Sequence, residues 1–270
     1  MSLPKLTKEW VAARLPKRPK DANKGTFGKV LVIAGSENYP GVAYLSCAAC
    51  YRVGAGLVTL LTDREVKIIV SRKLPEVTFI SELSEPLDFD VLLFGPGLGQ
   101  KKNILEIVNK FPKVVIDGEG LNILAKIDNW WKKIKTPIVL TPHPGEMSRL
   151  TKLSIADIQD NREKIARNFA DKWGQVVVLK GANTVIASPG GEIMIAEFAN
   201  PLLATAGTGD VLSGIIAGLL AQGVLNNHGF NAAAMGVYIH GLAAEMLKEK
   251  YGDRGMLASD LLPILPKIIA

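Results

Sequence analysis

Lys29-Val30-Leu31-Val32-Ile33-Ala34-Gly35 is a continuous apolar run closed by a glycine. With no polar alternation, it reads as a strand buried on both faces, the kind that parallel sheets use. Similar runs recur at 57–62, 91–94, 113–116, 137–141 and 176–180, with a shorter one at 77–80. Helical patterns separate them at 42–53 (stopped by Gly54), 65–73, 103–109, 120–126 and 158–173. Strand thus alternates with helix from 29 to 180, with no linker-like composition and no repeat. The pattern predicts one α/β domain over residues 1–270, a three-layer α/β/α fold with a mainly parallel central sheet.

Outward from this core, residues 1–24 form a basic, proline-containing extension in which Trp10 and Leu15 would dock a short helix over 7–15. Strands at 184–187 and 192–196 flank Ser188-Pro189-Gly190-Gly191 and read as a hairpin. Three helical patterns close the chain, at 210–222, 231–248 and 259–268.

The 270 residues are 48% hydrophobic and 21% charged, ordinary for a globular protein. No apolar run approaches the roughly 20 residues of a membrane span. Met1-Ser2-Leu3-Pro4-Lys5 lacks a signal-peptide core, so a cytoplasmic chain with no membrane partner is expected. The net charge of +6 comes from scattered lysines and arginines without interleaved aromatics. That pattern argues against nucleic acid and suits a small polyanion. Cys47 and Cys50 lie in an apolar helical stretch with no histidine nearby in sequence, and read as small packing residues.

Parallel sheets collect their functional loops at the C-terminal ends of the strands. Here the glycine- and polar-rich loops follow Ala34, Phe94, Ile116, Thr141 and Lys180, so one rim should carry one site. Neither Gly-x-x-x-x-Gly-Lys-[Ser/Thr] nor Gly-x-Gly-x-x-Gly occurs, and Gly95-Pro96-Gly97-Leu98-Gly99 has the wrong spacing for the latter. The remaining phosphate cradle is Ala206-Gly207-Thr208-Gly209-Asp210 at the mouth of the helix over 210–222. Free amides and the helix dipole favour an anion there, and the glycines allow close approach. Asp210 would act there as a general base, or it is an ordinary N-terminal helix charge.

Other rim residues carry paired readings too. In Thr141-Pro-His-Pro-Gly-Glu146, His143 donates to a substrate and Glu146 holds Mg²⁺ through water, or the two merely start a helix. Lys180, with Gly181, Ala182, Asn183 and Thr184 behind it, reaches a phosphate or simply leaves the core. Asp117-Gly118-Glu119-Gly120 places two acids after a strand and reads as a metal site or, more readily, as a turn into a helix.

Taken together, 200–214, 141–150, 180–184 and 95–99 resemble the ADP/ATP-dependent NAD(P)H-hydrate dehydratases of the ribokinase-like superfamily, over roughly residues 25–270. The resemblance implies dehydration of the S-epimer of NADH or NADPH hydrate, by phosphorylation of its C6 hydroxyl and elimination of phosphate. It implies Asp210 as base, with Gly207, Thr208 and Gly209 as the anion hole. Lys180, Gly181, Ala182, Asn183, Thr184 and Gly209 would bind ADP or ATP. Ala43, Gly97 and Gly99, His143 and Asp210 would bind the hydrate, with Glu146 near Mg²⁺. A homotetramer and a separate epimerase are further implied, since 24 leading residues are too few for a fused epimerase. The second acid of the family's Asp-Ala-Asp-Ala-Leu-Asn is Glu119 here, which puts its role in doubt. Three other readings stay open: a small-molecule kinase of the same fold, a non-enzymatic nucleotide binder that would not need Asp210, and a Rossmann oxidoreductase.

Overall fold

The computed structural model describes residues 6–85, 87–99, 103–224 and 229–269. The expectation for 1–5, and His228, lie outside the described residues. Nine strands form one sheet: β1 (Lys29–Ile33), β2 (Leu57–Leu61), β3 (Thr78–Ile80), β4 (Val91–Phe94), β5 (Val114–Ile116), β6 (Ile138–Leu140), β7 (Val176–Leu179), β8 (Thr184–Ala187) and β9 (Ile193–Ala196). Their order is β3-β2-β1-β4-β5-β6-β7-β8-β9. β3 through β7 run parallel, and only the hairpin strands β8 and β9 are antiparallel to their neighbours. The strand order reverses between β1 and β4, which opens a crevice beyond their C-terminal ends.

Most apolar strand residues are buried because helices lie on both faces. Val30 and Val32 point into one core, Leu31 and Ile33 into the other. The first face is covered by α2 (Pro40–Arg52), α3 (Arg64–Lys73), α9 (Thr208–Ala221) and α10 (Phe230–Tyr251). The second carries α4 (Ile104–Val108), α5 (Glu119–Leu124), α6 (Pro144–Thr151), α7 (Ile155–Asp160) and α8 (Arg162–Trp173). In the N-terminal extension, Thr7 caps α1 (Lys8–Ala12) by accepting from the Trp10 N–H, and Trp10 and Leu15 pack on the first core. Among the described residues no helix is long and apolar enough to cross a membrane.

Two expected helices are broken. The pattern over 158–173 becomes α7 and α8, because Asn161 leaves helical geometry (φ −132°, ψ 36°) and Ser154 starts the first of them four residues early. The pattern over 259–268 becomes α11 (Ala258–Leu261) and α12 (Leu265–Ile269). Pro263, which lies between them, has no N–H to continue a helix.

Candidate active site

Three neighbouring strand ends bring one charged cluster together. Asp117 closes β5 and is almost fully buried. The loop after β6 carries His143 and Glu146, and Lys180 follows β7, its N–H donating to Pro142 O at 2.8 Å. Lys180 Nζ lies 2.7 Å from Asp117 Oδ1 and 3.8 Å from Glu146 Oε2. From behind, Arg162 Nη2 donates to Leu179 O (2.8 Å) and Lys180 O (3.3 Å). Its guanidinium stands 3.1 Å from where a Gly181 Cβ would be, and Gly181 has φ +144°, so this turn takes no other residue easily.

His143 and Glu146 form the start of α6. Glu146 Oε2 accepts from the His143 N–H at 2.8 Å, and His143 Nδ1 accepts from the Gly145 N–H at 3.0 Å. The helix-start reading is therefore correct, and it also aims Glu146 at Lys180. Burial pushes the Glu146 carboxyl up to about 7, with Lys180 opposing and Asp117 adding to the shift. Burial lowers His143, helped by the charge of Lys180.

From the other layer, the mouth of α9 meets this cluster. Gly207 is its cap at φ +93°, and a Cβ there would stand 2.7 Å from Leu45 and 3.0 Å from Ala258. A Cβ on Gly209 would stand 3.3 Å from Lys180 Nζ, so the lysine lies against the helix mouth. The first helical bond is Val211 N–H to Gly207 O at 3.1 Å. Thr208 departs from the expected anion hole. Its N–H is drawn to Thr205 O at 3.3 Å, and its hydroxyl reaches Leu203 O and Thr205 O, so it closes the preceding turn. The N–H groups of Gly207, Gly209 and Asp210 have no partner among the described residues.

Burial raises the Asp210 carboxyl to about 7, reinforced by Asp117 and Glu146 and opposed by Lys180. Burial works against the charge on Lys180, yet Asp117, Glu146 and Asp210 together hold it above its ordinary value. Three carboxyl groups thus share one ammonium, an excess of negative charge that a divalent cation would relieve. Among the described residues no group of three or more His, Cys, Asp or Glu is arranged to hold a metal ion alone. A Mg²⁺ here fits only with other ligands, as an ion that keeps waters and takes phosphate oxygens.

Beside the cluster opens a cavity of about 620 Å³. It is lined by His143, Lys180, Gly181, Thr208 and Gly209 and by the apolar Phe198, Leu203, Leu212 and Val237. Ala182 and Thr184 also line it, whereas Asn183, at φ +54°, lines a separate hollow with Arg162. Gly97 and Gly99 lie elsewhere, in the loop after β4 at the strand-order reversal. Ser36 Oγ donates to Gly97 O at 2.8 Å, and a Cβ on Gly99 would stand 2.8 Å from Ser36. Ala43 is fully buried beneath Gly35. The α9 mouth bridges these regions, with Lys180 on one side and Leu45 and Ser46 of α2 on the other.

Sequence reasoning missed Asp117 as a member of the cluster, reading it as a turn. Its place at a strand end on the active rim was the available signal. His240 and Phe198, which line the cavity, were not singled out in the sequence. Glu119 accepts from Asn122 Nδ2 at 2.9 Å, and Asn122 accepts in turn from Arg149 Nε at 2.6 Å, a local bracket between α5 and α6.

The family model for NAD(P)H-hydrate dehydratase matches residues 30–267. A bifunctional NAD(P)H-hydrate repair enzyme of Moorella thermoacetica is 40% identical over 98% of this chain, which covers 53% of that protein. The chain spans about half the length of such bifunctional relatives. The ADP-dependent (S)-NAD(P)H-hydrate dehydratase of Bacillus subtilis is 34% identical, over 99% of this chain and 98% of its own. A crystal structure of the B. subtilis ADP/ATP-dependent enzyme, co-crystallised with ATP/Mg²⁺, superposes with a TM-score of 0.89, covering 99% and 98% of the two chains. A ribokinase-like superfamily protein of Enterococcus faecalis, 30% identical, gives 0.83 over 99% of this chain and 95% of its own. With the parallel sheet, the glycine-capped α9 mouth and the Asp117–Lys180–Glu146 cluster in place, this chain belongs to the NAD(P)H-hydrate dehydratase family, on a ribokinase-like fold.

Proposed function

We propose that this chain dehydrates (6S)-NADH or NADPH hydrate to the reduced cofactor, using ADP or ATP as phosphoryl donor. The observation that carries the reading is a partly buried carboxyl group, Asp210, at a helix mouth whose amides are open and which lies against a lysine. The nucleotide lies in the 620 Å³ cavity, base toward Phe198 and Leu203, phosphates toward Lys180 and Gly209. The hydrate lies in the crevice of Gly97 and Gly99, so that its C6 hydroxyl meets Asp210 from the other side. Asp210 takes the hydroxyl proton as the oxygen attacks the terminal phosphorus, and the bond from that phosphorus to the bridging oxygen breaks, releasing AMP from ADP or ADP from ATP. The Gly209 and Asp210 amides and Lys180 stabilise the charge on the transferring group. Loss of phosphate from C6 together with a proton from C5 then restores the C5=C6 double bond of NAD(P)H. Glu146 would hold Mg²⁺ through water, and the ion would neutralise phosphate charge. The bifunctional relatives support functional pairing with an epimerase for the other hydrate epimer. A cytoplasmic homotetramer completes the proposal.

The test is absorbance at 340 nm after adding protein to NADH hydrate and Mg²⁺, with ADP, ATP or no nucleotide. A rise that requires nucleotide is expected, and it should be lost in Asp210→Asn. A flat trace from folded protein with both nucleotides would sink the dehydratase reading in favour of a small-molecule kinase.

A further inference from the structure

Tyr39 is the one aromatic side chain among the described residues that is exposed, at 59%; every other Phe, Trp and Tyr is buried or partly buried. Its side chain has no hydrogen-bond, ring or cation partner among the described residues. A single exposed apolar side chain is ordinary on a protein surface. This one, however, is pinned in the crevice. The Tyr39 N–H donates to Ser36 O at 2.9 Å, and Pro40, the first residue of α2, keeps Tyr39 out of helical geometry (φ −133°, ψ 53°). Ser36 Oγ donates to Gly97 O at 2.8 Å, and the Gly35 N–H donates to Pro96 O at 2.8 Å. The loop after β1 is thereby tied to the loop after β4 at the strand-order reversal. A Cβ on Gly97 would stand 2.9 Å from Tyr39 Cβ and 3.3 Å from Val42 Cβ, so Tyr39 rises directly from the Gly97 turn.

From Tyr39 a stripe of partly exposed apolar side chains follows α2 to the mouth of α9. Val42 lies against Gly97, and Leu45 lies against Gly207. A Cβ on Gly207 would stand 2.7 Å from Leu45 Cδ1 and 4.0 Å from Asp210 Oδ2, so the Leu45 end of the stripe is the catalytic end. Tyr39 precedes Leu45 by six residues, about 9 Å along the helix. With its C6 hydroxyl at Asp210, the hydrated nicotinamide ring occupies the Leu45 end. Two riboses and a pyrophosphate join that ring to adenine, and such a linker spans the distance to Tyr39. The hydrated ring is saturated at C5 and C6 and has no aromatic face, so adenine is the substrate's one aromatic ring. Bases of this kind stack on exposed aromatic side chains. We propose that Tyr39 is a substrate-binding residue whose ring stacks on the adenine of NAD(P)H hydrate, so that the enzyme selects the whole dinucleotide over its nicotinamide half. This rests on the reading that the hydrate occupies the crevice of Gly97 and Gly99.

The test compares two substrates, NADH hydrate and the hydrate of reduced nicotinamide mononucleotide, which lacks adenosine. Absorbance at 340 nm follows both, with Mg²⁺ and saturating ADP or ATP, for wild type, Tyr39→Ala, Tyr39→Leu and Tyr39→Phe. Wild type should prefer NADH hydrate. Tyr39→Ala should shrink that preference roughly tenfold, through a higher KM for NADH hydrate, the scale of one base stacked on one aromatic ring. Tyr39→Phe keeps the ring and should keep the preference. Tyr39→Leu keeps apolar bulk without an aromatic face, and should lose the preference as Tyr39→Ala does; it decides the matter if Tyr39→Ala does not fold. An equal rise in KM for both hydrates overturns the assignment, because the ring would then act on the nicotinamide half or on the loop. Unchanged kinetics in Tyr39→Ala also overturn it, and a changed oligomeric state of that variant on gel filtration would then give the ring to a contact between copies. Wild type that turns over neither hydrate with either nucleotide would overturn the reading of the crevice as well, whereas turnover indifferent to Tyr39 overturns only the stacking role.

Discussion

At the scale of single residues, the chemistry turns on a carboxyl group that pays a desolvation cost. Asp210 is pushed from an ordinary 3.8 to about 7 chiefly by burial. A base with that value takes up a proton effectively near neutrality. Activity should therefore rise about tenfold per pH unit on the acid side and level off above about pH 7, measured as kcat/KM. Asp210→Asn should lower turnover by on the order of 10³-fold or more. The same shift bears on stability. Between 3.8 and 7 the folded chain holds a proton that the unfolded chain has released. The stability linked to this group is full below about pH 4 and is lost as pH rises through 7. Asp210→Asn should thus melt a few degrees higher than wild type at pH 8 and lose that advantage near pH 4. A lower melting temperature at pH 8 would mean the carboxylate stabilises the fold. The sequence made Asp210 legible because its glycine neighbours are local. Asp117 was not legible in this way, since its partner Lys180 is 63 residues away and only the sheet order brings them together.

At the scale of elements, what sets the position of Asp210 is the seating of α9 on α2. A Cβ on Gly214 would stand 2.4 Å from Ser46 O and 2.8 Å from Ala49 Cβ, and one on Gly218 would stand 2.6 Å from Val53. The two helices therefore touch backbone to backbone. Cys50 Sγ donates to Gly214 O at 3.2 Å at this seam, and both cysteines are buried, in keeping with a packing role. Gly214→Val should force the helices apart, costing about 1–3 kcal/mol, and should also depress activity by drawing Asp210 away from Lys180. A melting temperature within a degree of wild type would show that backbone contact does not fix the helix spacing. The sequence displayed the small residues but not which helices they join. Strands were legible because burial on both faces leaves a run that little else produces. The helix breaks were less so: apolar spacing continues from Ile158 to Ile165 across Asn161, and the chain turns there without disturbing it.

At the scale of the molecule, the site is assembled from both helical layers across one edge of the sheet. Asp117, His143 and Glu146 come from the face of α5 and α6, the open amides from α9 on the opposite face, and Lys180 spans the two. A nucleotide seated between Gly209 and Lys180 would tie the layers together, so binding should protect the whole fold. A ligand that binds only the folded state at a hundred times its Kd contributes about 2.7 kcal/mol. For a chain of this size that corresponds to a rise in melting temperature of roughly 5–10 °C. Thermal unfolding with saturating ADP and Mg²⁺ measures it. The rise should persist undiminished in Asp210→Asn, because Asp210 addresses the hydrate, and removing its charge eases the approach of phosphate. It should shrink sharply in Lys180→Met, which takes away the one cation shared by the three carboxyl groups and the phosphates. If Asp210→Asn abolished the shift while Lys180→Met kept it, the roles assigned to the two sides of the helix mouth would have to be exchanged.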